Sequence, residues 1–207
     1  MTTLLHISAS PRGERSESLA IAQTFLDVYA DTHPETTIET WDLWDGSLRS
    51  SARPPLTPRW RCSPGRIPRA TRLRGGRRGP RSSGSPRPIS TCSASRCGTP
   101  AFPTSSSSFI DVVSQPGMVF SFDPELGYTG LLTGRKAAVV YTSAVYGLGR
   151  PPSFGADFQA PYLRDGLNWA GMADVTEIAF RPNLATADAE TGRQAAHAAA
   201  RDAAKIF

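Results

Sequence analysis

From Ser51 to Ser108 the chain contains no Asp, Glu, Lys, Val, Asn or Gln. Without acidic residues, nothing in the segment balances its arginines. With so few large aliphatic side chains, it cannot bury enough apolar surface to offset the entropy of ordering it. The same stretch holds twelve Arg, ten Pro and all three cysteines. It carries +12 in a chain of net +5, which leaves −7 on the remainder. Disorder over residues 51–108, with a disrupted third strand, is the expectation from composition.

Other absences narrow the function. Cys62, Cys92 and Cys97 show no Cys-x-x-Cys spacing and have no neighbouring His, so neither a metal site nor a disulfide framework is expected. No run approaches the roughly 20 apolar residues that cross a bilayer, and the first residues show no cationic leader ahead of a long apolar run. A soluble cytoplasmic protein of one domain, residues 1–207, is expected, with no membrane partner. His6, His33 and His197 are scattered with no nucleophile placed beside them, so they read as solvated or core histidines and no catalytic side chain is assigned.

What is present alternates strand and helix. Thr2 to Ile7 is a short apolar run ending in Ser-Ala-Ser-Pro-Arg-Gly, the pattern of a buried strand entering a loop. Ser16 then reads as the N-cap of an amphipathic helix carrying Leu19, Ala22, Phe25, Leu26 and Tyr29 on one face. A second strand is expected around Thr37 to Leu43. Beyond the anomalous stretch, the pattern predicts a helix tail over 109–114, a buried strand over 136–143, a helix over 158–170, a strand over 174–181 and an Ala-rich helix over 187–206. This alternation argues an α/β fold with a doubly wound parallel sheet.

Two loops are candidate sites. The loop from Ser8 to Ser18 joins the first strand to the first helix, where an open parallel sheet offers its ligand crevice and a helix start favours an anion. Ser10, Ser16 and Ser18 add hydroxyl donors. The loop lacks Gly-x-Gly-x-x-Gly and Gly-x-x-x-x-Gly-Lys, which leaves a cradle for a single phosphate, or serines that only cap a helix and solvate a turn. The second candidate, Thr142 to Gly147, leaves the same sheet edge and offers backbone groups to a flat ring; its alternative is an ordinary strand exit with Tyr146 covering the core.

The basic stretch itself has two readings. It can be an arginine-rich arm for nucleic acid or another polyanion, although it lacks Lys and has few aromatics. It can also be translated out of frame. If the true frame starts on the third base of each codon, the first two bases of each residue become the last two of the true codon. Residues 96 to 104 then allow Pro-Met-Trp-Asn-Ala-Gly-Val-Pro-Tyr, and Ser95 allows Val or Leu. That is an apolar strand end followed by an aromatic loop.

Leu-His-Ile-Ser-Ala-Ser-Pro-Arg-Gly-Glu-Arg-Ser-Glu-Ser at 5–18, Phe-Ile-Asp-Val-Val-Ser-Gln-Pro-Gly-Met-Val-Phe at 109–120 and Gly-Leu-Leu-Thr-Gly-Arg-Lys-Ala-Ala-Val-Val at 130–140 together resemble the FMN-dependent NADH-azoreductases and quinone oxidoreductases. The similarity covers residues 1–48 and 109–207. That family carries a Pro-Met-(Tyr/Trp)-Asn loop after its third strand, which the shifted frame restores at 96–99. The resemblance implies a flavodoxin-like sheet of order 2-1-3-4-5 with FMN at the carboxyl ends of the strands. It implies phosphate contacts at Ser10, Ser16, Glu17 and Ser18, and ring contacts at Ser143, Ala144, Val145 and Tyr146. Glu17 stands where Gln is more usual and must offer its backbone N–H. Phe122 and Trp169 are candidate apolar walls beside the ring. The implied reaction is ping-pong transfer from NADH to a quinone or azo compound, in a homodimer, with product protons drawn from water or from Tyr146. Nucleic acid is not an expected partner on this reading. A third possibility is an inactive frame-shifted relative that binds FMN weakly.

Overall fold

A computed structural model describes residues 2–45, 91–96, 104–184 and 186–207. Its main sheet holds β1 (Thr2–Ser8), β2 (Thr36–Asp42), β3 (Thr91–Arg96), β6 (Lys136–Ser143) and β7 (Asp174–Phe180), all parallel, in the order β2-β1-β3-β6-β7. Counting only these five strands, this is the expected 2-1-3-4-5 order. A separate antiparallel hairpin, β4 (Phe120–Asp123) and β5 (Gly127–Gly130), precedes β6. The helices are α1 (Glu17–Thr32), α2 (Thr104–Val113), α3 (Ala160–Trp169) and α4 (Ala189–Ile206).

Each face of the sheet follows from the period-2 alternation of the strands. Leu4, Ala138, Val140 and Ile178 point to one side and meet Ile21, Phe25 and Tyr29 of α1 together with Ala196, Ala200 and Ala204 of α4. Alanine at those α4 positions lets the helix lie close to the strands while α1 contributes the large side chains. Burying a side chain such as Phe25 contributes about 2–3 kcal/mol. On the opposite face, Val139 and Tyr141 meet Ala160 and Leu163 of α3, and Ile7 with Leu43 meets Phe109 of α2. Between that face and helices α2 and α3 lies an apolar cavity of about 720 Å³, lined in part by Leu5, Ile7, Leu43, Ser106, Phe109 and Leu163.

Where a disrupted third strand was expected, Thr91–Arg96 forms a strand between β1 and β6. A ladder is built from backbone N–H and C=O groups, and Thr, Cys and Ser are compatible with it. β3 matches six residues of β6, from Thr91↔Ala138 to Arg96↔Ser143, but only three of β1, from His6↔Thr91 to Ser8↔Ser93. Helix α2 begins inside the anomalous stretch, at Thr104, and its last turn is the helix tail expected from Phe109 onward. The expectation of disorder over residues 51–90 and 97–103 falls outside the described residues.

The hairpin was not expected from the sequence. Its base is pressed onto the end of α3: a Cβ on Gly130 would stand 2.4 Å from the backbone carbon of Ala170, so no larger residue fits there. Leu132 N–H donates to the Ala170 carbonyl at 2.9 Å and seals the same junction.

Candidate functional site

β1 and β6 both end at the carboxyl edge of the sheet with β3 between them. The loops that follow them are therefore two strand spacings apart, about 10 Å. Ser10, Ser16, Glu17 and Ser18 lie in the first loop and at the start of α1; Ser143, Ala144, Val145 and Tyr146 lie in the second.

The first loop is enclosed. Ser10, Ser16 and Ser18 are 3%, 2% and 0% exposed. Ser16 is the N-cap as expected, its Oγ accepting from Leu19 N–H at 3.4 Å and lying 3.0 Å from Ser18 Oγ. The first intrahelical bond runs from Ala20 N–H to the Ser16 carbonyl, so the N–H groups of Glu17 and Ser18 have no partner within the helix. Ser10 Oγ accepts from Arg12 N–H at 3.4 Å, which curls the loop back on itself. Trp44, at the end of β2, donates from its indole to the Ala9 carbonyl at 3.1 Å and fixes the entry to the loop. Buried hydroxyls, uncommitted helical N–H groups and the positive end of a helix dipole form a donor set suited to a phosphate dianion.

Glu17 is the exception in sign. Its carboxylate is directed to α4, where Arg193 donates from Nη2 to Oε1 at 2.9 Å and from Nε to Oε2 at 3.1 Å. This two-point contact holds the Glu17 carboxyl below its ordinary pKa. Only the backbone N–H of Glu17 is then left to face the loop.

In the second loop, Tyr146 N–H donates to Ser143 Oγ at 3.1 Å, while the carbonyls of Ser143 and Ala144 accept from Asn183 N–H at 2.8 Å and Leu184 N–H at 3.1 Å. The segment after β7 thus clamps the segment after β6. A Cβ on Gly147 would meet Pro182 Cδ at 2.6 Å, so the clamp admits only glycine at that point. Arg181 lies over both Tyr141 and Tyr146, 5.1 and 5.4 Å from the ring centroids, and forms an ion pair with Asp157. Tyr146 therefore stands beside a fixed cation, a neighbour that neither sequence reading of it, ring contact or core cover, had included.

Phe122 and Trp169 are not beside these loops. Trp169 ends α3 five residues before β7 begins, which places it at the amino edge of the sheet, opposite both sites. There it contacts Phe120 and Tyr128, with ring centroids 4.7 and 5.7 Å apart, and Phe122 joins through Tyr128 at 5.0 Å. The aromatic pattern was legible, but the hairpin that gathers it was not. Arg181, Asp157 and Trp44 were missed, and Arg193 was read only as a surface charge on the terminal helix, because each acts through a partner distant in sequence. The Pro-Met-Trp-Asn reading at 96–99 reaches beyond Arg96 into residues that are not described. Among the described residues, no group of three or more His, Cys, Asp or Glu side chains could hold a metal ion, and no helix is long and apolar enough to cross a membrane.

A doubly wound parallel sheet with a phosphate-type cradle after its first strand defines a flavodoxin-like mononucleotide-binding protein. Residues 101–204 match the family model described as flavodoxin-like fold. An FMN-dependent NADH:quinone oxidoreductase of Ruegeria pomeroyi is 33% identical over 215 residues, covering 96% of this chain and 98% of that one. An FMN-dependent NADH:quinone oxidoreductase 3 of Pseudomonas fluorescens is 31% identical, covering 95% and 93%. The chain belongs to this family of FMN-dependent NADH:quinone oxidoreductases. Among solved structures, an azoreductase of Bacillus anthracis shares the fold with a TM-score of 0.71 at 16% identity, covering all of both chains. An FMN-dependent NADH-azoreductase of the same species, in complex with FMN, has a TM-score of 0.69 at 17% identity, covering 100% of this chain and 99% of that one. These likenesses do not favour the polyanion-binding alternative.

Proposed function

We propose that the chain is an FMN-dependent oxidoreductase that passes two electrons from NADH to quinones and aromatic azo compounds by a ping-pong mechanism, acting in the cytoplasm as a homodimer. The observation that carries this reading is the enclosed serine cradle at the start of α1, on the carboxyl edge of a parallel sheet. Membership of the family supports the cofactor and the donor.

The residues present fit the cofactor. Ser10, Ser16, Ser18 and the N–H groups of Glu17 and Ser18 would hold the phosphate, while Ser143, Ala144, Val145 and Tyr146 would border the ring. When bound, FMN supplies hydride acceptance and two-electron return, so that NADH, a proton and a quinone give NAD⁺ and a hydroquinone. The chain's own groups bind and orient. The cradle would fix one end of the ligand, and the contacts from Asn183 and Leu184 would hold the second loop in place at the other. No side-chain nucleophile is required.

Titration of the purified protein with FMN, followed by NADH oxidation with menadione as acceptor, tests the reading. Saturable flavin uptake and quinone-dependent NADH oxidation are expected; a colourless protein that takes up no FMN would overturn it. Sedimentation at the mass of one chain would overturn the homodimer.

A further inference from the structure

Glu17 places a carboxylate on the first residue of the helix whose N–H groups form the cradle. Left to itself, that carboxylate is drawn to the same positive helix end as a phosphate and competes with it. The structure shows what prevents this. Arg193, on the second turn of α4, has three donors committed to carboxylates: Nε and Nη2 to Glu17, and Nη1 to Glu190. Its guanidinium lies 5.6 Å from the centroid of Phe180, the last residue of β7, which holds the planar group in place. Arg193 is therefore not a direct ligand for an anion in the loop. It is a retaining group for a carboxylate.

We infer that Arg193 is a positioning residue for phosphate binding: it holds the Glu17 carboxylate against α4, away from the helix start, so that residue 17 serves the ligand through its N–H alone. This rests on the FMN-binding reading above. The other charged groups near the pair are Glu190, bound to the same guanidinium, and Arg12 and His197, which both favour the ionised form of Glu17. His197 sits on α4 with Nδ1 2.7 Å from Thr24 Oγ1. None of these makes a two-point contact with Glu17, so none replaces Arg193 as its anchor.

The test compares affinity for FMN with affinity for riboflavin, which lacks the phosphate, by quenching of flavin fluorescence. Arg193→Met is expected to weaken FMN binding about tenfold and leave riboflavin binding unchanged, since a freed carboxylate repels only the phosphate. Adding Glu17→Gln to Arg193→Met is expected to return FMN affinity to within about twofold of the wild type, because the competing charge is gone. Arg201→Met, which removes the same charge from an exposed position on the same helix, is expected to change neither affinity. If Arg193→Met does not fold, Arg193→Gln takes its place in both comparisons. Equal loss for FMN and riboflavin, no recovery with Glu17→Gln, or an equal effect from Arg201→Met would each overturn the inference. Failure of the wild type to bind FMN would instead defeat the functional reading beneath it.

Discussion

Arg181 donates from Nη1 to Asp157 Oδ2 at 2.8 Å, while the other oxygen of Asp157 accepts from the N–H groups of Gln159 and Ala160 at 3.0 and 3.1 Å. One carboxylate thus joins the exit of β7 to the start of α3, and the guanidinium it holds lies against Tyr146. Both side chains are less than a fifth exposed, so removing one partner leaves a poorly hydrated charge. Arg181→Met is expected to destabilise the fold by about 2–3 kcal/mol and Asp157→Asn by less, since Asn can still accept from the helix N–H groups. Denaturant midpoints measure the difference; a larger loss from Asp157→Asn than from Arg181→Met would show that the cap, not the ion pair, matters.

Ser16 serves the helix and, on the proposed reading, the ligand. Ser16→Ala is expected to cost about 1 kcal/mol of stability as a lost N-cap and to weaken FMN binding about tenfold or more. Ser16→Asp keeps a capping oxygen but adds a negative charge, so it is expected to restore stability without restoring binding. Thermal melts without ligand, set beside flavin titrations, separate the two roles.

His6 is 7% exposed on β1, and burial pushes its imidazole below the ordinary pKa more strongly than nearby Asp42 raises it. The folded state therefore binds a proton less readily than the unfolded chain. Stability is fully present above the ordinary value near 6.5 and falls as the pH drops from there toward the lowered folded value. A decline in urea midpoint between about pH 7 and pH 5 is expected in the wild type and should be reduced in His6→Asn. An unchanged decline in the variant would assign it to other groups.

Ser106 is 2% exposed, lines the apolar cavity under α2, and has no hydrogen-bond partner for its hydroxyl among the described residues. A buried hydroxyl without a partner costs about 1–3 kcal/mol. Ser106→Val removes the polar atom and adds carbon to the cavity, and is expected to stabilise the protein by about 1–2 kcal/mol in chemical denaturation. Destabilisation would mean that the hydroxyl is satisfied.

That misplaced serine bears on the anomalous stretch as a whole. If its codon begins TC, the shifted frame gives Phe, Leu, Ile or Val at 106, the residue classes the cavity wall calls for. Restoring the frame across residues 51–108 is expected to raise FMN affinity and thermal stability together. Equal flavin affinity in the restored and unaltered chains would remove the frame shift as an explanation of this segment.

Most of the fold was legible because its signals are local. The apolar run at Thr2 to Ile7, the cap at Ser16 and the aliphatic strand at Lys136 to Ser143 each lie within a few residues of their markers. The hairpin was not legible, since its strands are only four residues long and carry aromatics that read equally well as core or wall. Glu17 could be seen as an obstacle from sequence, but its solution, Arg193, lies 176 residues away. The family resemblance led to Trp169 being set beside the ring, and nothing local corrected it, because an apolar side chain at a helix end carries no mark of which edge of the sheet that end faces.

The junction at Gly130 sets how the molecule meets its surroundings. With two backbones in contact there, the root of the hairpin is held against the end of α3, while Leu126 at its turn is 84% exposed. The placement of that exposed turn is thus decided by a residue with no side chain.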